Sequence, residues 1–301
     1  MPASHSYIPP VTANEFVEQQ LHDRLEALEG IFQAHALSFS GPILLGVDDP
    51  LRIAVEKRCA QGTASDRLII VLTTGGGYMD PVQRMVATLR RHYKIVDFVI
   101  PNYAYSAGTI FTLSGDSIYM DYYSRLGPID PQIQSAKGMP VSALGYLEKY
   151  NDLLKKANAP RSRISTTEIQ ILLAFDQGEL YFYEQQRDLA ITALKEWLVQ
   201  YKFKDWKVTQ TRKAPVTQKM KEDAATRIGK VLNDTKKWHS HGYGISMEVL
   251  RRDLNLKIED FETNVSHSGA IRSYYDLLSD YMVKRDYRGV IHTSKSFVPF
   301  A

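Results

Sequence analysis

A buried-strand pattern that stops abruptly at three glycines is the feature that most constrains this fold. Residues 68–72 (LIIVL) are an uninterrupted apolar run, and Gly75, Gly76 and Gly77 follow almost at once. An apolar run without polar alternation predicts a strand that is covered on both faces, as in a parallel sheet flanked by helices. The glycines then predict a tight strand-to-helix turn, because glycine adopts positive φ at little steric cost.

A second corner of small residues follows one crossover later. Ser106, Ala107 and Gly108 stand between a strand predicted over 95–100 and a helix predicted over 107–113. A serine there would lie at a helix N-terminus, where free N–H groups favour negative charge. Taken singly, such a serine is most often an N-cap. The two corners together indicate an acyl-transfer site, because one can present a nucleophile while the other aims backbone N–H groups at an oxyanion.

Glycine-rich strand ends also occur in nucleotide-binding proteins. The Gly-Lys-Ser/Thr ending of a P-loop and the Gly-x-Gly-x-x-Gly spacing of dinucleotide folds are both missing from this sequence. We therefore expect no nucleotide-binding module and no cofactor, so any ATP-driven unfolding of a substrate would need a separate protein.

The wider pattern alternates strands with helices in the first half of the chain and becomes helical in the second. Alternation of this kind predicts a mostly parallel sheet with right-handed crossovers. The predicted helices are 14–32 (capped by Asn14), 50–59, 81–91, 107–113, 140–157, 165–201, 224–232, 245–254 and 270–283, and the predicted strands are 40–47, 68–72, 95–100 and 117–120.

The same pattern divides the chain into segments. Residues 1–35 are predicted to form an N-terminal arm and helix. Residues 36–138 form the predicted catalytic core, and a resemblance to a known family implies that about residues 224–262 complete it. Residues 139–223 are predicted to be a helical insertion, and residues 263–301 a C-terminal helix and tail.

Composition excludes several classes of protein. The chain has 301 residues, 44% hydrophobic and 24% charged, which is typical of a soluble globular protein. A net charge of +3 is too small to indicate nucleic-acid binding, and the basic stretch 202–221 is predicted to be a solvated surface. The single cysteine, Cys59, excludes an internal disulfide and a cysteine-rich metal site.

The sequence also carries no targeting pattern. No apolar run reaches the roughly 18 residues of a membrane span, and the first residues lack the basic start and apolar core of a signal peptide. We expect a cytoplasmic protein without a transmembrane segment, and we leave peripheral membrane contact open. We expect no metal site.

Two motifs resemble a known family. The stretch TTGGGYMDP (residues 73–81), followed by IPNYAYSAGTIFTLSGDSIYMDYYSRLGPIDPQI (100–133), resembles the serine dehydrogenase proteinase family. These are serine peptidases of the Clp-protease and signal-peptide-peptidase-A type. The close match covers about residues 66–133, and a weaker one covers residues 237–261. The resemblance implies an α/β fold: a Clp-type, crotonase-like parallel sheet with flanking helices and additional helical segments in the C-terminal half.

The resemblance also implies the main site residues. Ser106 matches the nucleophile of the family, and the backbone N–H groups of Ala107 and Gly76 match its oxyanion hole. Gly75 remains the neighbouring alternative, because the register of a triple glycine is ambiguous. One departure from the family is Thr74, where relatives usually carry proline.

The general base is harder to assign. Clp-type enzymes use a histidine soon after the serine, but this chain has none between His92 and His239, which excludes that version. Relatives of signal peptide peptidase A use a lysine on a downstream helix, and Lys149 fits that place. A lysine base must be desolvated so that its pKa falls, and the apolar neighbours of Lys149 in the sequence make that burial an expectation.

Other bases stay open. Lys155 and Lys156 follow Lys149 on the same predicted helix. His239 or His241 could reach the site from a distance, because catalytic partners need not be neighbours in sequence. Asp130 and Asp116 could orient a base, although an Asp between Ile and Pro is usually a turn residue.

The sequence therefore predicts a serine peptidase that acts on peptide or protein substrates, with a Ser106–Lys149 dyad. Two alternatives are a crotonase-fold enzyme that acts on coenzyme A thioesters and a non-catalytic scaffold that retains the fold. The long helix predicted over 165–201 carries more apolar residues than one sheet face needs to cover. We therefore expect a homo-oligomer.

Overall fold

The computed structural model of the protein describes residues 12–61, 63–134, 140–160, 163–209 and 213–300. The predicted N-terminal arm falls almost entirely on residues 1–11, outside the described residues. The helices are α1 (Ala13–Phe32), α2 (Asp48–Ala60), α3 (Met79–His92), α4 (Ala107–Leu113), α5 (Ala143–Asn158), α6 (Thr166–Leu173), α7 (Gln177–Trp197), α8 (Gln218–Leu232), α9 (Thr235–Trp238), α10 (Met247–Leu254) and α11 (Val265–Arg285). The strands are β1 (His35–Ser40), β2 (Arg67–Thr73), β3 (Ile95–Val99), β4 (Tyr103–Ala104), β5 (Ile118–Met120), β6 (Arg125–Leu126), β7 (Gln132–Gln134), β8 (Pro140–Ser142), β9 (Ile245–Ser246), β10 (Glu259–Asp260), β11 (Gly289–Thr293) and β12 (Ser296–Phe300).

Most strands join one large, mainly parallel sheet. Its seven strands run in the order β10-β5-β3-β2-β1-β11-β12. The first five are parallel to one another, whereas β11 pairs antiparallel with β1, and β12 pairs antiparallel with β11. This is the parallel α/β architecture that the alternating pattern predicts.

Both faces of this sheet are covered, which explains the unbroken apolar run of β2. Leu68, Ile70 and Leu72 pack in a cluster with residues of α2 and α3. Ile69 and Val71 point to the opposite face, where they pack with residues of α1 and α11. Because successive side chains of a strand alternate between faces, a central strand with helices on both sides needs apolar residues at every position.

The N-terminal elements confirm most of the pattern but correct two details. The predicted apolar stripe of α1 is buried at Leu21, Leu25, Leu28 and Phe32. Its N-cap, however, is Thr12 and not Asn14: Thr12 and Glu15 form a reciprocal capping box. The strand predicted over 40–47 was wrong, because the first strand is His35–Ser40.

The C-terminal half departs further from the predicted pattern. The single helix expected over 165–201 is two helices, α6 and α7, followed by a π-helical turn at Leu198–Lys202. The predicted tail contains β11 and β12, which the sequence analysis did not anticipate. The boundaries of the predicted segments stay predictions.

The segment predicted to be a helical insertion contains a small apolar cluster and an exposed apolar surface. Residues of α5 and α7 form a cluster separate from the main core, built on Ala143, Leu144, Leu147, Leu180 and Tyr183. No residue of α6 is buried. The large apolar side chains exposed on α6 and α7 are Ile169, Ile171, Leu173, Tyr181 and Phe182. The homo-oligomer stays a prediction that this exposed surface is consistent with.

A second, smaller sheet contains β4, the strand that precedes the Ser106 corner. It has the order β4-β6-β9, with β4 parallel to β6 and β6 antiparallel to β9. Within the described ranges, no helix combines the length and the apolar character that crossing a membrane requires.

Candidate active site

The two corners predicted from the sequence meet in the structure. Thr74, just after β2, forms a parallel bridge with Ala104 at the end of β4. The Thr74 N–H donates to Tyr103 O at 3.0 Å, and the Tyr105 N–H donates to Thr74 O at 2.9 Å. Thr74, which leads into the glycine turn, is therefore joined by backbone hydrogen bonds to the segment that leads into the Ser106 corner.

Contact between the corners is closest at Gly76, whose φ is +98°. A β-carbon built on this residue would lie 2.7 Å from Ser106 Cβ, 2.7 Å from Tyr105 O and 3.3 Å from the Ala107 nitrogen. Real β-carbons essentially never come this close to other atoms. Only glycine fits, both because of the positive φ and because the Ser106 corner occupies the space of a side chain.

Ser106 itself has an unusual backbone. Its φ of 55° and ψ of −122° lie outside the regions that L-residues ordinarily occupy. Such strain is of the order of 1–3 kcal/mol and is kept mostly at functional sites. The sharp strand-to-helix turn that presents the nucleophile of α/β-hydrolases is strained in the same way. The half-buried Ser106 makes no N-cap hydrogen bond to α4, all of whose residues are described, so its hydroxyl is available for other chemistry.

Ala107 offers a backbone donor beside this hydroxyl. The next two N–H groups are used locally: Gly108 donates to Tyr105 O at 2.8 Å and Thr109 to Ser106 O at 2.9 Å. Among the described residues, none accepts a hydrogen bond from the Ala107 N–H. As the first residue of α4, Ala107 has no acceptor for its N–H within the helix. An oxyanion bound next to Ser106 would supply one.

The Gly76 N–H, the other predicted donor, already has an acceptor. It donates to Thr74 Oγ1 at 3.0 Å, and this contact is buried. Thr74 departs from the proline expected at this position, and no sequence pattern predicted that its hydroxyl would bind the glycine turn.

A histidine–aspartate pair lies on the neighbouring segments. His241 Nδ1 is 2.8 Å from Asp130 Oδ1, and the two side chains are 14% and 4% exposed. Burial alone would raise the pKa of Asp130, but the hydrogen bonds that it accepts, first that from His241, hold the pKa below its ordinary value. With Asp130 ionised, Nδ1 of the neutral imidazole carries the proton and Nε2 is left as an acceptor. This is the tautomer that a general base needs.

The small sheet brings these residues to one end of the same three strands. Ala104, Leu126 and Ile245 stand side by side on β4, β6 and β9. Ser106 follows Ala104 by two positions and Asp130 follows Leu126 by four. His241 precedes Ile245 by four positions on an antiparallel strand, so all three residues lie beyond the same edge. The loops that carry the pair therefore leave the small sheet at the same end as the Ser106 corner.

Contacts of Tyr105 support this placement. A β-carbon on Gly127 would lie 2.9 Å from the Tyr105 ring, and one on Gly244 would lie 3.3 Å from the Tyr105 hydroxyl oxygen. The residue just before Ser106 therefore touches both the segment that leads to Asp130 and the segment that follows His241.

The predicted lysines lie on α5, where Glu148 accepts a hydrogen bond from Thr235 of α9 at 3.0 Å. Lys149 is exposed on α5, a helix that packs against α6 and α7. Lys155 is also exposed, and Lys156 pairs with Glu168 at 2.6 Å. In the single chain, Lys149 therefore lacks the burial that a lysine base requires.

The remaining candidates from the sequence are Asp116 and His239. Asp116 accepts hydrogen bonds from Arg90 and Lys204. Burial would raise its pKa, but these bonds and one from the Val96 N–H keep the pKa below its ordinary value. His239 is exposed and ends α9 in a left-handed conformation. In the described part of the chain, no group of three or more His, Cys, Asp or Glu residues is arranged to hold a metal ion.

Solved structures and curated proteins are similar to parts of this chain. The 1510-N membrane-bound stomatin-specific protease, as a mutant in complex with a substrate peptide, is 15% identical with a TM-score of 0.43, covering 74% of this chain and 73% of that one. A second mutant of the same protease is 15% identical with a TM-score of 0.45, covering 77% and 82%.

Two uncharacterised proteins of Methanocaldococcus jannaschii are similar in sequence. One is 32% identical over 121 residues, which is 39% of this chain and 40% of the relative. The other is 32% identical over 77 residues, which is 25% of this chain and 27% of the relative. The matched part therefore spans less than half the length of either relative.

The family model of the ClpP-like SDH-type serine proteinases matches residues 31–155. This range contains the parallel strands β2 and β3, the glycine turn, the Ser106 corner and Asp130, and it agrees with the resemblance inferred from the two motifs. Residues 31–155 of the chain are thus similar to the ClpP-like SDH-type serine proteinase family.

Proposed function

We propose that this chain is a serine peptidase in which Ser106 is the nucleophile. The observation that carries the proposal is the strained Ser106 corner, packed directly against Gly76. The site has the parts that acyl transfer needs: a hydroxyl free of capping, a backbone N–H at Ala107 without an acceptor among the described residues, and a second N–H at Gly76. The similarity of residues 31–155 to ClpP-like SDH-type serine proteinases supports the same reaction class.

The proposed base is His241, oriented by Asp130. Their hydrogen bond supports this choice because it fixes the imidazole tautomer and leaves Nε2 to accept the Ser106 proton. Lys149 is the alternative that the family resemblance favours. Its exposure on α5 argues against it, because a solvated lysine stays protonated near neutral pH.

The proposed reaction proceeds in two stages. Ser106 Oγ attacks a peptide carbonyl carbon while its proton passes to His241 Nε2, and the oxyanion that forms is bound by the N–H groups of Ala107 and Gly76. The protonated His241 then gives the proton to the leaving amine, which yields an acyl-enzyme on Ser106. Water activated by His241 hydrolyses this ester and restores the enzyme.

Hydrolysis of an unfolded protein tests the proposal. Casein should be cleaved by the wild-type chain, and Ser106→Ala should lose most of that activity, because only binding and oxyanion stabilisation would remain. The fold should survive the change, since alanine fits the same corner. Cleavage by Ser106→Ala at a rate near that of the wild type would overturn the proposal. Hydrolysis of an acyl-coenzyme A that persists in Ser106→Ala, with casein left intact, would support the thioester alternative instead.

A further inference from the structure

The hydrogen bond between Gly76 and Thr74 conflicts with a simple oxyanion hole. In the structure, the Gly76 N–H points to Thr74 Oγ1, 3.0 Å away. Thr74 is 1% exposed, so water does not compete for this contact. For Gly76 to stabilise an oxyanion, the same N–H must turn toward the substrate. The free enzyme therefore holds one of its two donors in an internal bond.

Thr74 is fixed more firmly than the turn it binds. Its backbone N–H and C=O are both hydrogen-bonded, to Tyr103 O and from the Tyr105 N–H. Its methyl group packs on Gly108, where a β-carbon would lie 2.3 Å from Thr74 Cγ2. A β-branched side chain is already restricted at χ1, and this packing restricts Thr74 further. Gly76 is flanked by glycines on both sides. The Gly76 carbonyl oxygen accepts a hydrogen bond from the Ile43 N–H at 2.9 Å. The adjustment that the Gly76 N–H needs is therefore a rotation of the Gly75–Gly76 peptide, which has a glycine on each side.

We infer that Thr74 is a positioning residue of the oxyanion hole, whose hydroxyl holds the Gly76 N–H in the free enzyme and yields it to the developing oxyanion. This inference rests on the proposed function. A neutral substrate carbonyl competes poorly with the hydroxyl, whereas an oxyanion is a charged acceptor and binds an N–H about twice as strongly. The Gly76 donor is thus engaged mainly in the transition state, which is where an interaction accelerates the reaction.

The competition has a measurable consequence. A hydrogen bond that must break on the way to the transition state raises the barrier. Removing the acceptor oxygen should therefore speed the chemical step while it weakens the fold. Thr74→Val removes the oxygen and keeps the shape of the side chain. Thr74→Ser keeps the oxygen and removes the methyl group.

Phosphonylation by an alkyl fluorophosphonate provides the measurement. In this reaction Ser106 Oγ bonds to phosphorus, fluoride leaves, and the serine proton passes to the general base. The maximal rate constant kinact and the binding constant KI are determined separately for each variant. Thr74→Val should raise kinact by about fivefold, the scale of one net hydrogen bond, with KI unchanged. Thr74→Ser should return kinact toward the wild-type value.

Two results with a folded Thr74→Val variant would overturn the inference. If Thr74→Val is labelled no faster than the wild type, the hydroxyl does not compete for the Gly76 N–H. If Thr74→Val is labelled more slowly while it remains folded, the hydroxyl supports the hole instead of competing with it. If Thr74→Val does not fold, Thr74→Ala takes its place with the same expected direction. If the wild type is not labelled at Ser106, the proposed function fails as well, so the two failures are distinguishable.

Discussion

Gly76 lies against Ser106 so closely that a β-carbon on Gly76 would stand 2.7 Å from Ser106 Cβ. The two residues come from different strand ends, and the bridge between Thr74 and Ala104 holds them together. Any side chain at position 76 must displace the serine or open the turn. This contact ties the glycine motif to the candidate nucleophile.

Gly76→Ala should therefore abolish most activity. We expect a loss on the order of 10²-fold or more, comparable to the removal of an oxyanion donor, and a lower unfolding temperature, because alanine is strained at this φ. Gly75→Ala is the matched control, since a β-carbon there meets nothing within 4 Å and the backbone N–H is kept. Casein hydrolysis and thermal unfolding of both variants check this, and equal losses of activity in the two would contradict it.

The strain at Ser106 predicts an effect on stability that is independent of activity. Ser106→Gly should relieve the positive φ, whereas Ser106→Ala should retain it. Both variants lack the nucleophile, so both should be inactive. We expect Ser106→Gly to be more stable than Ser106→Ala by about 1 kcal/mol, even after the entropy cost of a glycine. Urea unfolding measures the difference; a less stable glycine variant would mean that the corner is not strained.

The choice of general base can be tested with three variants. His241→Asn keeps a donor for Asp130 but removes the base, so activity should fall by roughly 10²-fold or more. His239→Asn is the matched control, because this exposed residue is two positions away and asparagine tolerates its left-handed backbone. Lys149→Ala should retain activity. An inactive Lys149→Ala that remains folded, with an active His241→Asn, would return the role to the lysine.

A buried histidine far from the site predicts how stability depends on pH. His292 is fully buried, and burial, with a smaller contribution from His22, lowers its pKa to about 3. It contacts Tyr274 Oη at 2.8 Å and His22 at 3.0 Å. In the unfolded chain a histidine has a pKa of about 6.5. Between pH 7 and pH 5 the unfolded state therefore gains a proton that the native state does not bind, and stability is lost as the pH falls.

This single group should contribute about 2 kcal/mol to the decrease in unfolding free energy between pH 7 and pH 5. His292→Gln should make the decrease smaller by about that amount. His239→Asn, which changes an exposed histidine, should leave the decrease as it is. Urea unfolding at the two pH values provides the comparison. An unchanged pH dependence in His292→Gln would show that His292 does not stay neutral in the native state.

The local parts of the fold were predictable from the sequence, and the reasons are visible in particular elements. The apolar run of β2 and the small residues of α4 are buried on all sides, so their patterns are unambiguous. The first strand was predicted at the wrong position because β1 contains His35, Ser38 and Ser40, which are polar residues that are nevertheless buried. The strands β11 and β12 were missed because they follow a helix. In addition, β12 contains Pro299, which weakens a strand pattern.

Some residues of the candidate site were also predictable from the sequence, whereas others were not. The glycine turn and Ser106 could be predicted because each is a local motif. Asp130 and His241 are 111 residues apart, and their pairing depends on the contact of β6 with β9, two strands of two residues each. Strands that short leave no periodic signal. The role of Thr74 depends on a side-chain hydrogen bond, which no sequence pattern specifies.

The most direct test of the central claim is covalent labelling with a fluorophosphonate probe, followed by mass spectrometry of the labelled peptide. If Ser106 is the nucleophile and His241 the base, we expect one modified residue in the wild-type chain, Ser106. Labelling should be absent in Ser106→Ala and strongly slowed in His241→Asn. Labelling of the folded wild-type chain at another residue, or labelling that persists in Ser106→Ala, would contradict it.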